Sequence, residues 1–313
     1  MADEALRESY DVVVIGAGPA GLAAALNLTR ARFEVLVLDS NRPRHSATLK
    51  AHGFPTRDGI APTELRRLGR EELEAYDNCE VQFAAVGSVT REGDAFRVEA
   101  NGVRGTPARS VLATSVVIAT GLSEKLPELP SIRAYYGTTL HSCMICDGYE
   151  HAGKPLALIG ETDDLARQAR QLSRWSNDIV VFTGGVAEVS DDDEQELAER
   201  GVRVERRALA DVVGDRSGLT GVQLADGEVV PRSAGFIRPI YSAPLGFLDS
   251  LGVEKTTPEG LLVVDDGGRT SVAGLYAVGD STPPGPQQLV VAAGAGARAA
   301  AAILVDRTSE PAR

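Results

Sequence analysis

The sequence predicts an α/β chain with two parallel-sheet halves, each built around a strand, a glycine turn and a helix. Three observations predict it. The stretches "YDVVVIGAGPAGLAAALNLTRARFEVLVLDS" (10–40) and "KPLALIGETDDLARQARQLSRWSNDIVVFTGG" (154–185) both read strand, Gly turn, helix, strand. Each has about the 30 residues of one βαβ unit. A length of 313 residues is long for one domain and comfortable for two. Glycine is abundant at 33 residues while aromatics make up only 5%, which suits tight βα turns and closely packed helices.

In chain order, Val12 to Ile15 form the first apolar strand, and Gly16-Ala17-Gly18-Pro19-Ala20-Gly21 turns it into a helix. The helix returns to "EVLVLD", ending at Asp39. Alternation in "FAAVGSVTREGDAFRVEANG" (83–102) predicts an antiparallel insertion turning at Glu92-Gly93-Asp94. A buried strand, "SVVIATG" (115–121), ends in Thr120-Gly121. After the second βαβ unit, the acidic run Asp191-Asp192-Asp193-Glu194 reads as a solvated helix start. "GVQLADGEVVP" reads as a hairpin around Asp226-Gly227. A last buried strand, "GLYAVGD" (274–280), precedes a Pro-rich turn and an Ala-rich helix near 287–305.

The first glycine turn has a specific physical reading. Gly16 permits the tight turn, Gly18 lets backbone approach a pyrophosphate, and Gly21 lets helix pack on strand. Pro19 and Ala20 open the helix whose N-terminus meets the phosphates. Asp39, about twenty residues on, is placed for a ribose hydroxyl. A tight βα turn with no ligand is the plain alternative.

Composition narrows the function classes. A net charge of −12 argues against a nucleic-acid surface, which needs clustered Lys and Arg. "MADEALRESY" lacks the pattern of a secretory leader. The apolar stretch near the C-terminus carries Arg298 and two glycines, so a core helix is expected rather than a membrane span. The expectation is a cytoplasmic protein with no membrane partner. In a reducing compartment a C-x-x-C pair is more often redox-active or metal-binding than a staple. The chain has one such pair among three cysteines, Cys143 and Cys146 in "HSCMICDGYE". A zinc site needs four ligands. Cys79 and His141 could complete one, but no second C-x-x-C or H-x-x-H exists. A zinc-stabilised binding module, a buried inert pair and a redox dithiol are the three readings of the residues.

An FAD-type fingerprint, then Ala-Thr-Gly, then C-x-x-C-D-G before the second βαβ unit, then Gly279-Asp280, together resemble the low-molecular-weight thioredoxin reductase family. The resemblance spans nearly the whole chain. It implies a two-dinucleotide-binding flavoprotein of two Rossmann-like domains, with an FAD domain at 1–120 and 243–313 split by a second domain at 121–242. It implies FAD held by Gly16, Gly18, Pro19, Ala20, Gly21 and Asp39. Thr120, Gly121, Gly279 and Asp280 join that set, with Gln287 and Gln288 at the flavin pyrimidine edge. It implies Cys146 facing the flavin, Cys143 meeting the external disulfide, and Asp147 as acid/base. It also implies a homodimer, no metal, and a thioredoxin-like protein or a small dithiol or disulfide as partner. The loop "HGFPTRDG" (52–59) is expected beside the flavin ring.

The second glycine motif departs from the family pattern. Where a nicotinamide site has G-x-G-x-x-A, this chain has Gly160-Glu161-Thr162-Asp163-Asp164-Leu165. Acidic side chains cap an empty helix well and repel a pyrophosphate. The second strand ends "VVFTGG" with no Arg or Lys. Arg174 is read as lying inside the preceding helix. The expected function is FAD-dependent dithiol–disulfide exchange through Cys143 and Cys146 with little NADPH use. "CDGYE" and "HGFPTRDGIAP" look like the dithiol-oxidase branch, similar to gliotoxin- and holomycin-type disulfide-forming oxidases, although that branch carries His where Asp147 stands. The alternatives are an NAD(P)H-dependent thioredoxin-disulfide reductase, a reductase fed by another carrier, and a flavin-binding redox sensor that does not turn over.

Overall fold

The computed structural model describes residues 7–309, so most of the stretch read for a leader lies outside it. The chain runs β1 (Ser9–Ile15), α1 (Pro19–Arg30), β2 (Val35–Asp39), α2 (Pro62–Glu74), β3 (Cys79–Glu92), β4 (Ala95–Gly102) and β5 (Arg109–Ile118). It continues through β6 (Ser123–Lys125), α3 (Ile132–Tyr135), β7 (Leu140–His141), α4 (Met144–Asp147), β8 (Leu156–Gly160), α5 (Leu165–Leu172) and β9 (Ile179–Phe182). Next come α6 (Asp191–Glu199), β10 (Val202–Glu205), β11 (Leu209–Asp215), β12 (Gly218–Leu224), β13 (Val229–Pro231), β14 (Ala234–Arg238) and β15 (Ile240–Ser242). β16 (Leu275–Ala277) and α7 (Leu289–Ser309) close it.

The chain divides into two compact units. Among the described residues, the first holds 7–46, 53–123 and 242–309, and the second holds 47–52 and 124–241. The divisions after 123 and 241 stand against the sequence expectation of 120 and 242. The short segment 47–52, read as part of the first domain, groups with the second unit. A local reason is visible: the Ala47 carbonyl lies so close to Gly137 that a Cβ there would sit 1.8 Å from it.

In the first unit, β1 lies between β2 and β5 and parallel to both. β3 extends the sheet beyond β2 and β16 beyond β5, both parallel. β4 pairs antiparallel with β3 and β5, with the turn at Gly93-Asp94 as the sequence expects. β2 is buried along its whole length, and β1 over its last four residues. That is why they read as unbroken apolar runs. α1 buries Ala20, Ala24, Ala25 and Leu28, in one core with Ala299, Ala300 and Ile303 of α7. The small residues bring the two backbones together: a Cβ on Gly296 would sit 2.0 Å from the Ala20 carbonyl. α7 is long and apolar enough to cross a membrane by length and composition, yet it lays this small-residue face on α1.

In the second unit five parallel strands run β10-β9-β8-β14-β7. The hairpin predicted around Asp226-Gly227 joins β12 to β13, and β11 completes a three-stranded antiparallel sheet. The acidic run starts α6, where Ser190 Oγ accepts the Asp193 backbone N–H at 3.2 Å.

Candidate active site

β7 is an edge strand beside β14, with Leu140 and His141 in register with Gly235 and Phe236. From His141 the chain turns directly into the short helix α4. Cys143 sits at its N-cap, and its Sγ accepts the backbone N–H of Cys146 at 3.2 Å. The two cysteines are disulfide-bonded and half-buried, with Ile145 exposed between them. A backbone N–H aimed at sulfur favours the thiolate once the bridge opens. Gly148 closes α4 in right-handed backbone, where close packing requires a glycine. A Cβ there would lie 2.4 Å from the Met144 carbonyl and 2.8 Å from the Trp175 ring.

Asp147 follows Cys146, and its Oδ1 lies 3.3 Å from His141 Nδ1. Burial raises the Asp147 pKa above the ordinary carboxylate value; His141 and His52 pull it back and Glu150 pushes it further up. A carboxyl that keeps its proton at higher pH than a surface Asp suits proton exchange with a thiol. His141 is buried, and its Nε2 meets the Thr138 carbonyl at 2.9 Å and His151 Nε2 at 3.1 Å. His151 Nδ1 in turn meets Lys154 Nζ at 3.1 Å. Burial first, then the charges of His141 and Lys154, push His151 down to about 4. His52, expected beside the flavin, lies 3.5 Å from Glu150 within the second unit. Cys79 is half-buried at the start of β3, where burial pushes its thiol pKa up. Among the described residues no group of three His, Cys, Asp or Glu is arranged to hold a metal.

The first glycine turn has the stereochemistry an FAD pyrophosphate needs. Gly16 takes φ +107°, and a Cβ there would meet the Ala119 carbonyl at 2.4 Å. A Cβ on Gly21 would meet the Gly16 carbonyl at 1.9 Å. Around Gly18 the space is open, with nothing within 4 Å of a built Cβ. Gly18 is the N-cap of α1, Pro19 opens the helix, and the first turn carries no acid. Thr120 Oγ1 is buried with no protein partner, a hydroxyl left for a ligand. Gly121 takes φ +65°. Asp280 follows Gly279 and receives Arg44 Nη2 at 2.6 Å. Asp39 is buried at the end of β2 and paired with Arg66, which also donates to the Ala17 carbonyl of the turn at 3.2 Å. Gln287 and Gln288 lie half-buried just before α7. These residues fit the group.

The second turn is closed by its own side chains. Thr162 Oγ1 donates to Asp164 Oδ1 at 2.7 Å. Asp164, the N-cap of α5, also accepts from Arg167 at 2.7 Å, Gln168 at 3.2 Å and Arg238 at 3.0 Å. Burial would raise the Asp164 pKa, yet the bonds from Thr162, Gln168 and Arg238, with the Arg238 charge, hold it below the ordinary value. Leu165 is fully buried and packs on Gly160, where a Cβ would lie 2.9 Å from its Cδ2 and 2.8 Å from Arg238 Cβ. Arg174 lies in the turn after α5, not inside the helix.

Four participants were missed in the sequence reading: Arg66, Arg238, His151 and Lys154. Arg66 and Arg238 reach their partners from 27 and 74 residues away, so no local pattern points to them. "HAGK" (151–154) shows two titratable residues three apart, a weak signal that only the buried position of His151 makes meaningful.

Comparison with known proteins agrees with this geometry. The pyridine nucleotide-disulphide oxidoreductase family matches residues 10–296. The solved structure of HlmI is 39% identical, with a TM-score of 0.87, covering 96% of this chain and 94% of that one. Thioredoxin reductase from Streptococcus pyogenes is 25% identical with a TM-score of 0.85, covering 97% of this chain and 100% of its own. Thioredoxin reductase sirT of Leptosphaeria maculans is 27% identical over 290 residues, 88% of each chain.

Proposed function

The chain belongs to the pyridine nucleotide-disulphide oxidoreductase family and is an FAD-dependent thiol–disulfide oxidoreductase of the thioredoxin reductase-like kind; from that premise we propose that it oxidises a substrate dithiol through Cys143 and Cys146 with little use of NADPH. The observation that carries the reading is the contrast between an intact dithiol device and a nucleotide turn filled by Thr162, Asp164 and Arg238.

In this reading a substrate thiolate attacks one sulfur of the bridge. The Cys143–Cys146 bond breaks and a mixed disulfide forms. The second substrate thiol then attacks, closing the substrate disulfide and leaving both cysteines reduced. Two electrons and two protons pass from substrate to the pair. Asp147 exchanges the proton at the thiol, and the Cys146 N–H stabilises sulfur charge on Cys143. FAD, when bound, supplies the two-electron chemistry that reoxidises the pair. Gly16, Gly18, Pro19, Ala20 and Gly21 would hold its pyrophosphate and Asp39 its ribose, with Thr120, Gly121, Gly279 and Asp280 completing the cradle. Gln287 and Gln288 would meet the pyrimidine edge. Over a full cycle dithiol and dioxygen give disulfide and hydrogen peroxide. The NAD(P)H-dependent reductase reading draws its support from the names of relatives such as sirT.

An anaerobic titration separates the readings. NADPH, NADH and a simple dithiol are added in separate cuvettes while the oxidised-flavin band is followed. Bleaching by the dithiol alone, with colour restored by air, is the expected result. Rapid bleaching by either nicotinamide establishes the reductase reading in its place.

A further inference from the structure

Resting on the dithiol chemistry proposed above, we propose that Asp147 exchanges its proton with solvent through a buried relay of His141 and His151 that ends at Lys154. The four side chains form one continuous series. Asp147 Oδ1 to His141 Nδ1 is 3.3 Å, His141 Nε2 to His151 Nε2 is 3.1 Å, and His151 Nδ1 to Lys154 Nζ is 3.1 Å. Both imidazoles are buried, at 6% and 7% exposure, while Lys154 is exposed. Each ring therefore presents one nitrogen to the inner partner and the other to the outer partner.

The proton inventory closes. Starting from the Asp147 carboxylate, the Lys154 ammonium donates to His151 Nδ1. His151 donates from Nε2 to His141 Nε2, and His141 donates from Nδ1 to Asp147. Each proton moves one hop, no electron moves, and Lys154 regains its proton from water. Afterwards His141 carries its hydrogen on Nε2, and the Thr138 carbonyl at 2.9 Å is there to accept it. Its Nδ1 lone pair then accepts from the protonated Asp147. The carbonyl can only accept, so this contact favours the second state, while in the first the His141 Nε2 lone pair accepts from His151 alone; the series runs in reverse when Asp147 must lose a proton. The scheme needs His151 neutral, with one N–H and one lone pair. Its depressed basicity keeps it so above about pH 4. The charged and titratable groups facing the relay are His52 and Glu150 beside Asp147, and Lys154 at the far end. Phe236 of β14 packs against both rings and carries no charge. His141, His151 and Lys154 act through Asp147 and are positioning residues.

The test uses the flavin-loaded full chain and rapid-mixing reduction by a small dithiol, in H2O and D2O. His151→Phe and Lys154→Met are compared with the parent and with Cys143→Ser. The relay predicts that His151→Phe slows flavin reduction by about tenfold, less than the roughly hundredfold or more of a group that exchanges the proton directly. It also predicts a changed solvent isotope effect, and recovery of rate in His151→Ala on adding imidazole. Lys154→Met, at an exposed site, should slow the same step and shift its pH profile. Parent-like rates and isotope effects in both His151→Phe and Lys154→Met would overturn the relay and leave Asp147 exchanging directly with water. Full activity in Cys143→Ser would instead sink the dithiol reading itself, so the two failures are distinguishable.

Discussion

The two glycine turns share a backbone plan and differ in what fills them. After β1, the turn is open at Gly18, no acid stands in the first turn of α1, and Thr120 offers an unpartnered hydroxyl. After β8, Asp164 occupies the helix N-cap and is bonded by Thr162, Arg167, Gln168 and Arg238. Two unit charges at about 4 Å interact by roughly 4 kcal/mol at the effective dielectric near a protein surface. Asp164 would set that repulsion against a phosphate, while Arg238, which could have attracted one, is already committed. The second βαβ unit thus keeps its sheet, its helix and its core around a turn bonded up by its own side chains.

The largest expected effect comes from giving the first turn the character of the second. Gly18→Asp places a carboxylate in the open space at the α1 N-terminus. It should yield a folded, colourless protein whose flavin absorbance is absent after purification. Retention of stoichiometric FAD would break the comparison.

Acidification should separate the units next. The folded-state pKa of His151 is about 4, against roughly 6.5 in an unfolded chain. The unfolded chain therefore takes up the proton first as pH falls. The stability that His151 contributes is complete above pH 6.5 and declines toward pH 4, by about 3 kcal/mol. Asp147, with its raised pKa, works in the opposite sense, so the difference between the parent and His151→Phe isolates the effect. Hydrogen exchange should show faster opening in peptides from 124–241 than in those from 53–123 as pH falls from 6.5 to 4. Equal acceleration in both units would count against it.

The smallest effect sharpens the contrast from the other side. Thr162→Gly combined with Asp164→Ala reopens the second turn and releases Arg238. Affinity for NADPH should rise about tenfold, a gain of about 1.4 kcal/mol, read by calorimetry or by flavin bleaching. An unchanged affinity would mean that the closed turn does not limit nucleotide binding.

Much of this contrast was legible in the sequence, because both turns are local. Gly16-x-Gly18-x-x-Gly21 and the acidic replacement at 161–164 each span a few residues, and strand and helix periodicity frame them. The dithiol was equally legible, since C-x-x-C is itself a local pattern. What escaped depends on chain distant in sequence. Arg238 arrives from the end of β14, Arg66 from α2, and segment 47–52 joins the second unit through contact with Gly137 and Glu150. Periodicity reports which face of an element is buried, not which remote side chain will lie against it. His151 shows the same limit: as a lone residue in a short helical turn, only its burial distinguishes it from a surface histidine.

β14 serves two clients. At Phe236 it packs on the two histidines behind the cysteines, and two residues later, at Arg238, it reaches the closed turn. A slip of one residue in its register with β8 would reverse the face of every side chain and spoil both ends at once. A change in this strand therefore acts on the turn and on the surroundings of the thiols together. A substitution in the loop 161–164 answers to one client only.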